Sequence, residues 1–170
     1  MPTQTATLGA LPEDAIVDPP RLKHVRSQGR WEGQMKTRLA VRDFEPFYTG
    51  EPERAGGDNS APTPMEYVIA ALNGCLAVVI ETIAGELGLQ IDGMDIESDA
   101  TMDPRGFLGT ADVSPHFTQV TNRIRFSASG NQEFLAALQE QVVRRCPAYN
   151  LIKDAGVPVV LQWSVQESAS

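Results

Sequence analysis

Two cysteines, Cys75 and Cys146, are the residues of this 170-residue chain best suited to covalent redox chemistry. A thiolate attacks the O–O bond of a peroxide, releases an alcohol or water, and becomes a sulfenic acid. A second thiol condenses with the sulfenic acid to form a disulfide, and an external dithiol must reopen it. That chemistry needs two thiols able to meet, a cation that lowers a thiol pKa, and an apolar pocket. Cys146 follows Arg144 and Arg145 and precedes Pro147, at the end of a helical run, a sensible place for a resolving thiol. A plainer reading stands beside this one. Cysteine is among the most buried residue types, and one cysteine on an apolar helix is usually core filling. The arginines equally suit a solvated helix end. Residue pattern alone leaves both readings open.

Other chemistries find no support. Two cysteines and two histidines, His24 and His116, give no ligand spacing, so no metal is expected. His116 falls in a loop. There is no Gly-rich phosphate loop, no Gly-x-Ser-x-Gly elbow and no helical histidine pair, so no cofactor is expected either. A hydrophobic content of 42% and this length suit one domain with a real core. A net charge of −8 argues against a nucleic-acid surface, which needs clustered Lys and Arg. The first residues lack a basic segment followed by an apolar run, and no membrane span is expected. The expectation is therefore a cytoplasmic protein with free thiols.

The element that must position Cys75 is the run from Thr63 to Gly88. Between Tyr67 and Ala84 only Asn73, Glu81 and Thr82 are polar. Thr63 reads as an N-cap, Pro64 as the first helical residue and Glu66 as its capping-box partner, while Gly88 reads as the stop. Met65, Val68, Leu72, Cys75, Leu76, Val79, Ile83 and Leu87 form an apolar stripe. Ala70, Ala71, Gly74 and Ala77 are small, and predict close approach of another backbone. A helix this apolar must be buried on most sides. The run reads as too short and interrupted for a membrane span, hence as a core helix. One α+β layer covers such a helix poorly, so a second protomer is expected.

The remaining elements follow by periodicity. Residues 1–28 read as an arm, weakly ordered or docked on a partner, and residues 29–170 as the domain. A strand is expected over 33–43, with Met35, Thr37, Leu39 and Val41 on one face and Lys36, Arg38 and Arg42 on the other. Its hairpin partner spans 45–51, and 52–62 is a loop. A strand over 91–102 places Met94, Ile96, Ser98, Ala100 and Met102 inward. A long loop, 103–117, leads to a strand over 119–129 with Val120, Ile124, Phe126 and Ala128 inward. Asn131 reads as the cap of a helix over 132–145. Pro147 disfavours helix at Cys146, a short helix covers 148–155, and a last strand covers 158–166. The order is β-β-α-β-β-α-α-β, an α+β protein.

Several of these segments resemble one family. Ala61–Leu76, APTPMEYVIAALNGCL, is similar to the signature that opens the central helix of OsmC/Ohr proteins. EPERAGG, Glu51–Gly57, resembles the segment before that helix. RCPAYN, Arg145–Asn150, resembles the family's second Cys-Pro-x-x-N box, and Gly156–Leu161 its terminal strand. The resemblance spans roughly residues 30–166. It implies an α+β fold in which an antiparallel sheet wraps central cysteine-bearing helices, in an intertwined homodimer with Cys75 and Cys146 at the dimer interface. It implies reduction of organic hydroperoxides in oxidative-stress defence, with Cys75 as peroxidatic thiol, Cys146 as resolver, and a lipoyl or other dithiol as reductant. The family's activating glutamate falls here on Met65; the nearest acid is Glu66, also the capping residue. Arg38 is the nearest candidate for the family's arginine, with Arg30 and Arg42 as alternates, and it also suits a solvated strand face. The alternative is a catalytically weak member that binds a small apolar or thiol-reactive ligand at the dimer interface.

Overall fold

A computed structural model describes residues 19–129 and 134–167. Most of the expected arm, and the expected cap Asn131, lie outside the described residues. The elements are β1 (Gln28–Gly33), β2 (Lys36–Ala40), β3 (Phe47–Thr49), a 3-10 turn (Glu53–Ala55), α1 (Pro64–Glu86), β4 (Gln90–Met102), α2 (Pro104–Leu108), β5 (Phe117–Ser129), α3 (Phe134–Arg145), α4 (Pro147–Asp154) and β6 (Val159–Glu167). They form two three-stranded sheets, β1-β2-β3 and β4-β5-β6.

The first sheet adds a strand to the expected order. β1 pairs antiparallel with β2, Arg30 opposite Arg38. It carries Gly29 and Gly33, both weak strand formers, and its Trp31 is 74% exposed, so it shows no half-buried alternation. Met35 belongs to the turn rather than the strand. Gln34 and Met35 both have positive φ, 46° and 61°, a tight hairpin geometry that lacks its usual Asn-Gly signal. The sheet meets the body through a ring contact of Phe47 with Tyr67 at 5.3 Å and a hydrogen bond from the Gly50 N–H to the Pro62 carbonyl, 3.0 Å.

α1 follows its end signals closely. The Thr63 N–H donates to the Glu66 carboxylate at 2.6 Å, and the Glu66 N–H donates to Thr63 Oγ1 at 3.3 Å. Gly88 takes φ 73°, ending the helix. The helix is 23 residues long with mean hydropathy 1.9, enough in length and composition to cross a bilayer. The reading that it is too short to span is thus corrected, and packing is what assigns it to the core. Leu72, Leu76, Ile80, Ile83 and Ala84 are buried in one cluster with Val120, Ile124 and Phe126 of β5, Leu138 and Val142 of α3, and Tyr149 and Ile152 of α4. The opposite face is not covered by the described residues of the protomer. Val68 is 41% and Val78 63% exposed, and Ala70, Ala71, Gly74 and Gly85 are exposed between and beyond them. A Cβ added at Gly74 meets nothing within 4 Å, so the close backbone approach expected there is not made among the described residues.

β4 and β5 form a long antiparallel hairpin with the expected inward residues. The 103–117 segment between them contains one helical turn, α2, which Asp103 caps through the Arg105 N–H at 3.0 Å. β6 runs parallel to β5. The sheet is therefore mixed, which corrects the expectation of an antiparallel one. Two successive helices, α3 and α4, carry the chain back across the sheet before β6 begins, and a crossover of that kind yields a parallel neighbour. Asn122 is also inward on β5 and fully buried. Its amide donates to Ser98 of β4, and Ser98 donates to Asn73 of α1, joining helix and sheet through a polar cluster.

Candidate functional site, a pair of facing thiols

Cys75 sits at the edge of the buried face of α1 and is half-buried. Cys146 stands between α3 and α4. Its N–H closes the last turn of α3 on the Val142 carbonyl at 2.9 Å, and Pro147 starts α4. Proline tolerates that first helical position because its missing N–H has no partner there anyway. The corner turns the Cys146 side chain toward α1. The two sulfurs lie 3.5 Å apart, with the Cys146 thiol donating toward Cys75 Sγ. Both cysteines are free. A disulfide needs about 2.05 Å, so closure requires about 1.5 Å of movement.

The two thiols differ in environment. Cys146 is 0% exposed. Burial, with a smaller contribution from the Cys75 contact, pushes its thiol up to about 11 from an ordinary 9.0, against backbone N–H groups of Tyr149 and Ala148 that pull it down. Cys146 thus keeps its proton at neutral pH, and Cys75 is the thiol that solvent reaches. The raised value has a consequence for stability. The neutral thiol contributes fully below about pH 9, and the contribution is lost as pH rises toward about 11, because the unfolded thiol ionises first. Urea denaturation is expected to show stability falling across that window, and falling less steeply in Cys146→Ala.

The charged groups fall elsewhere. The Arg145 guanidinium grips the Glu86 carboxylate at 2.5 and 2.8 Å, tying the ends of α3 and α1, and this hydrogen bonding holds Glu86 below its ordinary range. Arg144 is exposed. Arg38 is half-buried in β2, opposite Arg30 and Tyr48, and makes no side-chain hydrogen bond or ion pair among the described residues. Arg30 and Arg42 are exposed; Arg42 lies over the Phe44 ring at 4.5 Å. Glu66 is held in the helix cap, and Met65 packs against the core. His116 meets the Phe117 carbonyl at 2.7 Å, not a thiol. The protomer therefore brings Cys75 and Cys146 together and leaves Arg38 and Glu66 unjoined. An open cleft of about 640 Å³ beside the start of α1, lined by Asn59, Pro62, Glu66, Tyr67 and Ala70, includes neither cysteine.

One residue at the site carried no assigned role in the sequence reading. Asn150 reaches back across the α3–α4 corner to the carbonyls of Val143 and Cys146, each at 2.9 Å. Its place four residues after Cys146 in the RCPAYN box was the available signal.

Residues 57–162 match the family model described as OsmC-like protein. No curated protein matches the chain. Among solved structures, an OsmC-like protein from Mycoplasma pneumoniae superposes with TM-score 0.70 at 11% identity, covering 86% of this chain and 99% of that one. An organic hydroperoxide resistance protein from Legionella pneumophila gives 0.60 at 18% identity over 86% and 99%. The organic hydroperoxide resistance protein OhrB of Bacillus subtilis gives 0.56 at 15% identity over 86% and 100%. At these identities the structures speak to the fold.

Proposed function

Because this chain belongs to the OsmC-like protein family, we propose that it is a thiol-dependent hydroperoxide reductase, with Cys75 as peroxidatic and Cys146 as resolving thiol. The observation that carries this reading is the sulfur pair, 3.5 Å apart, one partner half-exposed and the other buried and protonated. Cys75 thiolate attacks the distal peroxide oxygen, alcohol leaves after taking up a proton, and Cys75 becomes a sulfenic acid. Cys146 then displaces its hydroxyl as water, forming the disulfide, and an external dithiol such as a lipoyl group returns both thiols. The hydroperoxide-resistance proteins among the structural neighbours favour an organic substrate. Arg38, half-buried and without a carboxylate partner among the described residues, is the cation this reading assigns to the thiolate. Glu66 stays with the cap.

The working unit in this reading is an intertwined homodimer in the cytoplasm, serving oxidative-stress defence. The uncovered apolar face of α1 and the slight attachment of the β1–β3 sheet to its own protomer support a second copy. The rival, a catalytically weak member holding an apolar or thiol-reactive ligand at that interface, draws on two observations: no carboxylate joins Arg38 among the described residues, and Met65 stands where the acid is expected.

Cumene hydroperoxide separates the two. The reduced protein with dihydrolipoamide is expected to consume peroxide catalytically, and without the dithiol to accumulate a Cys75–Cys146 disulfide readable by mass spectrometry. Unmodified Cys75 with no peroxide consumed leaves the binding protein as the better reading.

A further inference from the structure

The corner that carries Cys146 has a hydrogen-bonding gap. In a continuous helix the N–H of residue 147 would serve the Val143 carbonyl, but Pro147 has no N–H. Asn150, in the first turn of α4, fills that gap. Its Nδ2 donates to the Val143 carbonyl at 2.9 Å and to the Cys146 carbonyl at 2.9 Å, with a longer approach to the Arg144 carbonyl at 3.4 Å. The Lys153 ammonium donates to Asn150 Oδ1 at 2.9 Å. Only one orientation of the amide gives Lys153 an oxygen and the carbonyls an NH₂, so Lys153 selects the orientation that grips the corner. The grip spans both sides of Cys146 without touching either sulfur.

We propose that Asn150 is a positioning residue that holds Cys146 Sγ against Cys75 and so sets the rate and equilibrium of disulfide closure. The inference rests on reading the two thiols as a redox pair. The step it governs is Cys75–SOH plus Cys146–SH giving the Cys75–Cys146 disulfide plus water, the sulfenic hydroxyl leaving with a proton. Reacting atoms held at about 3–3.5 Å enjoy a large advantage over atoms that must search for each other. The 3.5 Å separation here lies at the outer edge of that range, so small loosening of the corner costs heavily.

Asn150→Ala removes the donor. Asn150→Asp keeps the size and sets a carboxylate against the carbonyls. Lys153→Met, at an exposed site, leaves the amide in place but frees its orientation. Rapid-quench mass spectrometry with cumene hydroperoxide is expected to show Cys75 sulfenic acid forming within about twofold of the parent rate, while disulfide closure slows about tenfold or more in the Asn150 variants and about threefold in Lys153→Met. Equilibration against glutathione, which needs no peroxide, is expected to raise the reduction potential of the couple by about 30 mV for each tenfold loss. Parental closure rates and an unchanged potential in folded Asn150→Asp and Lys153→Met overturn the assignment. So does an equal slowing of sulfenic acid formation and closure, which marks general loosening. Should the parent form no sulfenic acid while the potentials still shift, the peroxidase reading fails and the positioning role stands.

Discussion

Cys75→Ser is expected to abolish peroxide consumption, by roughly a thousandfold or more, because it removes the thiol proposed as the nucleophile. Cys146→Ser is expected to consume one equivalent of hydroperoxide and then stall with Cys75 as a sulfenic acid. The asymmetry follows from burial. Solvent reaches half-buried Cys75, whereas Cys146 is 0% exposed and its thiol, raised to about 11, is a poor nucleophile until Cys75 has been oxidised beside it. A dimedone-type probe should label Cys75 strongly in Cys146→Ser and weakly in the parent, where closure at 3.5 Å competes. Peroxide titration against protein concentration measures the single equivalent. Labelling of Cys146 in Cys75→Ser at a comparable rate would reverse the two roles.

A charge on the open face of α1 is expected to split the homodimer proposed above. Gly74→Glu and Val78→Glu place a carboxylate on a stripe of Val68, Ala71, Gly74 and Val78 that nothing among the described residues covers. An interface of ordinary size removes about 800 Å² per partner from water, and an unpaired carboxylate trapped in its middle costs several kcal/mol, about 3–5. Dimer affinity is then expected to fall by at least about a hundredfold. The protomer itself should suffer little: a Cβ at Gly74 meets nothing within 4 Å, and replacing glycine inside a helix is favourable by roughly 0.5–1 kcal/mol. Light scattering at low micromolar protein, with far-UV circular dichroism as the folding control, reads the result. A variant that stays dimeric removes this face from the interface, and a monomeric parent removes the dimer.

Much of this architecture was legible in one dimension. Thr63, Pro64, Glu66 and Gly88 marked the ends of α1 because capping is satisfied within a few residues of each end. The alternation of Met94 to Met102, of Val120 to Ala128 and of Val159 to Val165 marked strands, because a sheet with one covered face imposes period two on any sequence that builds it. β1 escaped because its glycines and exposed Trp31 carry no such imprint. The parallel setting of β6 depends on the path of two helices rather than on the residues of the strand. Asn122 stood outside the apolar pattern of β5, and its burial rests on its amide donating to Ser98, a partner on another strand that no window around it shows.

The sequence by itself determined the family boxes, the α+β order, the central apolar helix and the presence of two thiols, since these reside in short windows of residue type and spacing. The tertiary structure alone decided that sulfurs 71 residues apart stand 3.5 Å from each other, that burial keeps the Cys146 proton in place, and that Asn150 grips the corner between them. Distances across the core and desolvation arise only when separate elements pack, and no local pattern encodes them.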